Sequence, residues 1–287
     1  MAPRYLADRG AKWGFLICAA VAILVLILIT FFIFRDGFSA LLKIGLGDFL
    51  FGTEWNPESG EFGILTFILN SIYLMIGTLI IAAPLGIGCA IFLAEIAPAR
   101  IREIVRPAID LLVGIPSVVY GLVGLTFLCP LIGGLSGGSG HTLLAAIIVV
   151  AVMILPTVVS ISEDSIRSVP RQYKEGALAL GSTHWQAIWR VTLPAARAGI
   201  VSALILSMGR AVGEALAAYM VIGQSFAMVD SPLDPARTLT SHIVGEIPEI
   251  APGTLHFGAL FATGIVLLIM ILIINSVTFI ARRRNQS

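Results

Sequence analysis

Two charged residues, Arg210 and Glu214, stand inside an otherwise apolar segment near 199–224. An ionisable group at membrane depth is costly and is by default a functional position. On one continuous helix, residues four apart share a face. Gly209 and Gly213 form a GxxxG step beside them, which predicts a close approach by a neighbouring helix. Arginine suits an oxyanion here, because its fork donates two parallel charge-assisted hydrogen bonds. The rival chemistries are a structural ion pair that only fixes packing, and a proton relay. Ser117 and Tyr120 form a softer pair just beyond Pro116. Pro116 cannot donate to the carbonyl of Leu112, so that oxygen needs another partner, which a membrane tolerates only against protein or a wet cavity. Ser117 and Tyr120 are spaced to line such a cavity, although a plain packing kink explains them equally well.

Other chemistries find no support. Cys18, Cys89 and Cys129 have no CxxC spacing, and His141, His184, His242 and His256 have no metal spacing and read as solvated or interfacial. No metal site and no catalytic residue is expected. The letters of a G-x-S-x-G elbow occur at 134–138, but no strand precedes them. Lys12, Lys43 and Lys174 are each preceded by a residue other than glycine, so the chain has no Walker A loop. It should bind no cofactor itself; if its work is ATP-driven, ATP with its magnesium belongs to a separate ATPase.

The elements that must position these residues are membrane helices. The 287 residues are 57% hydrophobic and 12% charged, against about a quarter charged in soluble domains. A net charge of +1 excludes a nucleic-acid partner and, with this apolarity, disorder; the partner is the lipid bilayer. Residues 13–34 carry no charge, and at ~1.5 Å per residue they cross a ~30 Å hydrocarbon core once. Residues 62–94 predict one long helix kinked at Pro84. The uncharged stretch 111–162, split by the Gly/Ser tract 133–140, predicts two helices over 111–131 and 142–162. Two more spans fall near 199–224 and 257–280, giving an all-α chain of six transmembrane helices. With both termini cytoplasmic, 14 of the 18 Lys and Arg residues lie inside, and acidic residues gather in the outer loops.

The longest inner loop, 163–198, carries an ordered pattern. Pro170 opens a helix over Arg171–Leu180, Gly181 allows a reversal, and Ser182 or Thr183 caps a second helix over His184–Val191 that Leu193-Pro194 ends. The plainer alternative is an interfacial amphipathic element anchored by Trp185 and Trp189. Glu175-Gly176-Ala177, three residues, Gly181, nine residues, then Val191-Thr192-Leu193-Pro194 resembles the E-A-A-x3-G-x9-I-x-L-P loop of ABC-importer inner-membrane subunits of the type I, CysTW-like family. Gly176 replaces the usual Ala and Val191 the usual Ile. FGTEWNPESGEFGIL (51–65), LVGIPSVVYGLVGL (112–125) and MGRAVGEALA (208–217) resemble the phosphate-importer branch of that family, the PstC permeases, over roughly 50–281.

That resemblance implies a type I importer fold, with 1–63 as first span and first outer loop, and 64–281 as the permease core. It implies inorganic phosphate as substrate and three partners: a PstA-like second permease, a PstB-like ATPase pair and a PstS-like periplasmic phosphate-binding protein. The expected function is a non-catalytic inner-membrane permease subunit. The alternatives are a permease for molybdate, sulfate or phosphonate, and an ion-driven anion carrier.

Overall fold

A computed structural model describes the backbone of residues 2–284 and the side chains of residues 12–276. The basic ends Arg4, Arg9 and Arg282–Arg284 lie outside those described side chains. Six helices are long and apolar enough to cross a membrane: Lys12–Ile44, Leu65–Ile96, Ser117–Ser136, Leu143–Arg167, His184–Gly213 and Leu255–Ser276. They are built from α1 (Ala2–Ile44), α3 (Leu65–Ile91), α5 (Ser117–Val123) with α6 (Cys129–Ser136), α7 (Leu143–Arg167), α9 (His184–Ala187) with α10 (Leu193–Gly213), and α13 (Leu255–Arg284). Short helices α2 (Leu46–Phe51), α4 (Ala99–Val113), α8 (Arg171–Ala179), α11 (Leu216–Val221) and α12 (Leu239–Glu246) fill the connections.

The fourth span is the hub. Its small and branched residues, Ala145, Ala146, Val150, Ile154 and Val158, are fully buried, and α3, α10 and α4 pack around it. Thr142 caps its start by accepting from the Ala145 N–H at 3.1 Å. The helix runs on to Arg167, beyond the last uncharged residue, because the buried Glu163 carboxylate meets Arg106 at 3.3 Å and Arg167 at 3.0 Å. The inner loop therefore begins later than the charge pattern suggests. The first span is the opposite case: Trp13 to Phe32 face outward, and packing against α13 begins near Ile33.

Three spans contain a wide π turn, at Phe92–Ile96, Gly124–Leu128 and Ile188–Thr192. The last removes a boundary that the sequence predicts. Leu193-Pro194 does not end the short helix; the Leu193 N–H donates to the Ile188 carbonyl, five residues back, and the helix continues into α10. Pro194 lacks a donor, and the looser turn just before it accommodates the missing bond. Span five thus starts at His184 rather than near 199.

Span three is also relocated. Residues 111–113 finish the amphipathic helix α4, and Pro116 sits in extended conformation (φ −59°, ψ 141°) ahead of α5 instead of kinking a helix. Proline disfavours the helical region for the residue before it, so the chain breaks at Ile115. The Leu112 carbonyl finds the partner it needs: the Tyr120 hydroxyl donates to it at 2.9 Å. The outer loop departs from an all-α chain with a hairpin of β1 (Trp55–Asn56) and β2 (Glu61–Phe62), Trp55 standing opposite Phe62. Phe62 therefore belongs to the hairpin, and span two starts at Leu65.

Candidate functional site

The inner loop folds into a knob as its spacing predicts. Pro170 precedes α8, and Gly181 sits at φ +87°, in the region glycine favours. Thr183 caps α9 by accepting from the Gln186 N–H at 3.2 Å, while the Gln186 side chain accepts from the Thr183 N–H at 2.9 Å. Ser182 has a different task, donating to the Ala177 carbonyl at 2.7 Å. Glu175 and Gly176 are exposed, Ala177 is half-buried, and Gly176 has open space where a Cβ would stand. Val191 and Leu193 are half-buried and Pro194 is exposed. At the tip Leu180 is 91% exposed, with Tyr173, Trp185 and Trp189 also bare. The well-capped turn thus leaves an apolar tip bare.

The fifth span breaks where its charges lie. The helix of α10 ends at Gly213, Glu214 is extended (φ −72°, ψ 120°), and α11 resumes at Leu216. Arg210 and Glu214 consequently do not share a helical face, and no ion pair joins them among the described residues. The Glu214 carboxylate turns forward and accepts from the Ala217 N–H at 3.0 Å, capping α11, while Thr240 donates to the Glu214 carbonyl at 2.9 Å. Broken backbone at membrane depth needs such partners and occurs where it is buried in protein or lines a cavity. Arg210 points instead toward the fourth span, donating to Thr157 Oγ1 at 3.4 Å. The structure therefore brings Arg210 to Thr157 and leaves Tyr120 on the Leu112 carbonyl. Ser117 is half-buried at the start of α5 and has no hydrogen bond to either charge.

The glycine seam is elsewhere than expected. A Cβ on Gly209 or Gly213 would meet nothing within 4 Å. One on Gly121 would stand 2.7 Å from Met220 Sδ and 3.0 Å from Ala217 Cα, so the close approach joins α5 to α11. Among the described residues nothing packs within 4 Å of a Cβ at either position, with Gly209 half-buried and Gly213 exposed.

The sequence reading missed a polar cluster at the opposite end from the knob. Glu246 accepts from Arg237 Nη1 at 2.8 Å and from the Trp55 indole at 3.1 Å, and lies 2.7 Å from His256 Nε2 and 3.6 Å from His242 Nδ1. Arg237 also donates to Gln224 at 3.0 Å and lies 4.2 Å over the Phe226 ring. His242, read from sequence as solvated or interfacial, is fully buried. Its Nδ1 lies 3.3 Å from Arg237 Nη1 and so acts as acceptor, and its ring stacks on Phe67 at 4.3 Å and meets Trp55 edge-on at 4.2 Å. Burial first, then the charge of Arg237 and that of His256, lower the His242 pKa to about 2. The i,i+4 pair His242 and Glu246 was the available sequence signal, and it pointed to no partner on its own. The cluster ties the outer hairpin to α3, α12 and α13.

Removing its shared acceptor should be expensive. Glu246→Gln leaves Arg237, 7% exposed, without its counter-charge, a loss of about 3–5 kcal/mol. Hydrogen exchange over residues 52–71 should accelerate by at least about a hundredfold, at 1.4 kcal/mol per factor of ten; unchanged protection would count against this role. Because His242 is neutral when folded, an opened cluster binds one more proton below pH ~6.5, and stability falls by about 1.4 kcal/mol per pH unit from there toward pH 2. His242→Gln should flatten that slope.

Comparison with known proteins agrees with this geometry. The model of the "binding-protein-dependent transport system inner membrane component" family matches residues 84–286, leaving α1 and the outer hairpin outside the match. The chain is 44% identical to a probable ABC transporter permease protein YqgH of Bacillus subtilis over 93% of this chain and 89% of that protein. It is 36% identical to a phosphate transport system permease protein PstC of Mesorhizobium japonicum, over 90% and 85% of the two chains. Among solved structures, a bacterial alginate ABC transporter in complex with its periplasmic protein matches with a TM-score of 0.61 at 18% identity, over 99% of both chains, a likeness of fold.

Proposed function

We propose, since this chain belongs to the binding-protein-dependent transport system inner membrane component family, that its knob takes up the motion of a separate ATPase and its broken fifth span lines half of an anion path. It is a multi-pass inner-membrane permease subunit of an ATP-driven phosphate importer, of the type I fold. Inorganic phosphate arrives from a PstS-like binding protein at the outer hairpin, where Glu54 and Glu58 are exposed. A PstA-like permease supplies the other half of the path and covers the face of Gly209 and Gly213. A PstB-like ATPase pair holds ATP and magnesium and seats the knob through Leu180 and Tyr173. Both termini lie in the cytoplasm, the side on which the positive-inside pattern puts the knob.

One observation carries the mechanism: Arg210 lies beside the helix break with the Thr157 hydroxyl as neighbour and no carboxylate partner among the described residues. A guanidinium left with donors to spare beside that hydroxyl is equipped to greet a tetrahedral oxyanion. ATP binding elsewhere moves the knob, the knob moves span five through the turn at Ile188–Thr192, and the path switches the side it opens to. Proteoliposomes holding the whole importer are expected to accumulate phosphate on addition of ATP with the proton gradient collapsed. Uptake that stops with the uncoupler and ignores ATP would overturn the assignment.

A further inference from the structure

Behind the knob, on the side turned toward the membrane, lies a cavity of ≈ 390 Å³ between α8, the end of the second span and the end of the fourth. Four basic residues line it, Arg102, Arg167, Arg171 and Lys174, against two acids, Glu95 and Glu175. The bases are differently engaged. Arg102 donates to the carbonyls of Leu93 at 2.8 Å and Ala97 at 3.3 Å, Arg167 to Glu163 at 3.0 Å, and Lys174 pairs with Glu95. Arg171 has no ion-pair partner among the described residues. Thr192 also lines the cavity, is 2% exposed, and its hydroxyl has no hydrogen-bond partner. A buried hydroxyl left unpaired is costly unless something polar meets it.

We propose that this cavity is a binding site for a phosphate group on the cytoplasmic face, either free inorganic phosphate or the headgroup of an anionic lipid. Arg171 supplies the uncommitted charge, Thr192 a donor, and the free N–H groups of Arg167 and Lys174 complete the shell. A bound phosphate group bridges α8 to the ends of the second and fourth spans and so restrains the knob. If the source is free phosphate, the importer is slowed by the product it delivers. The inference rests on the reading above that the knob is the cytoplasmic coupling element.

The whole complex, in zwitterionic nanodiscs and without the periplasmic protein, is to be tested for saturable binding of radiolabelled inorganic phosphate. Binding is expected, weakened about tenfold or more by Arg171→Gln and by Thr192→Val, and kept by Thr192→Ser. In discs containing anionic phospholipid, a lipid retained by the native complex and lost in Arg171→Gln, without phosphate binding, assigns the headgroup as the source. Retention of neither, or binding indifferent to both cavity variants, overturns the site. Uptake independent of ATP would sink the coupling reading instead, and leaves the binding measurement unaltered.

Discussion

Arg210→Gln is expected to abolish phosphate uptake while the complex assembles and binds ATP normally. The guanidinium offers a passing oxyanion two charge-assisted hydrogen bonds, at about 1.5–3 kcal/mol each, so uptake should fall by about two orders of magnitude or more. Arg210→Lys should be nearly as poor, since a point charge cannot reproduce the fork. Assembly should survive because Glu214 does not depend on Arg210: its carboxylate caps α11. For the same reason Glu214→Gln, whose amide oxygen can still accept from Ala217, should transport far better than Glu214→Ala, which loses a cap worth about 1 kcal/mol. Uptake measured alongside subunit recovery separates these cases. Normal uptake in Arg210→Gln, or a complex that falls apart, would remove Arg210 from the path.

Much of this was legible in the sequence because apolarity over a full membrane thickness is a local property. The spans from 13, 142 and 257 onward needed only charge-free length, and the knob only Pro170, Gly181, Thr183 and their spacing. Where the sequence misled, a distant partner decided. Span four outruns its apolar stretch because Arg106 comes from another helix to meet Glu163. Arg210 and Glu214 look like neighbours on a helix, but Thr240, twenty-six residues further on, helps hold the break that separates them. Trp55, Arg237, Glu246 and His256 are scattered over two hundred residues, and no periodicity connects them.

Gly181→Val is expected to bring uptake and substrate-stimulated ATP hydrolysis down together. The reversal between α8 and α9 holds φ at +87°, where a β-branched residue is strained by about 1–3 kcal/mol. Nothing stands within 4 Å of a Cβ there, so the effect comes from backbone conformation and not from a clash. The ranking is therefore diagnostic. Asparagine tolerates the left-handed region and should retain most coupling, alanine less, valine least, the last losing about one to two orders of magnitude. Equal activity across the series, with intact ATPase association, would mean that the reversal carries no force.

The turn at Ile188–Thr192 also sets an angle. Each residue of a helix advances its azimuth by about 100°, so a turn holding one surplus residue rotates everything beyond it relative to everything before. The knob and Arg210 stand on opposite sides of that surplus residue, like two cranks keyed to one shaft with an offset between them. Their relative bearing is fixed by residue count, whatever the strength of any contact. Winding the same residues regularly would swing Arg210 by about 100° away from Thr157, whereas deleting a single residue between 188 and 192 would restore regular winding and leave Arg210 on its present bearing to the knob. The knob and the surroundings of Arg210 keep their bearing to one another through one extra amino acid.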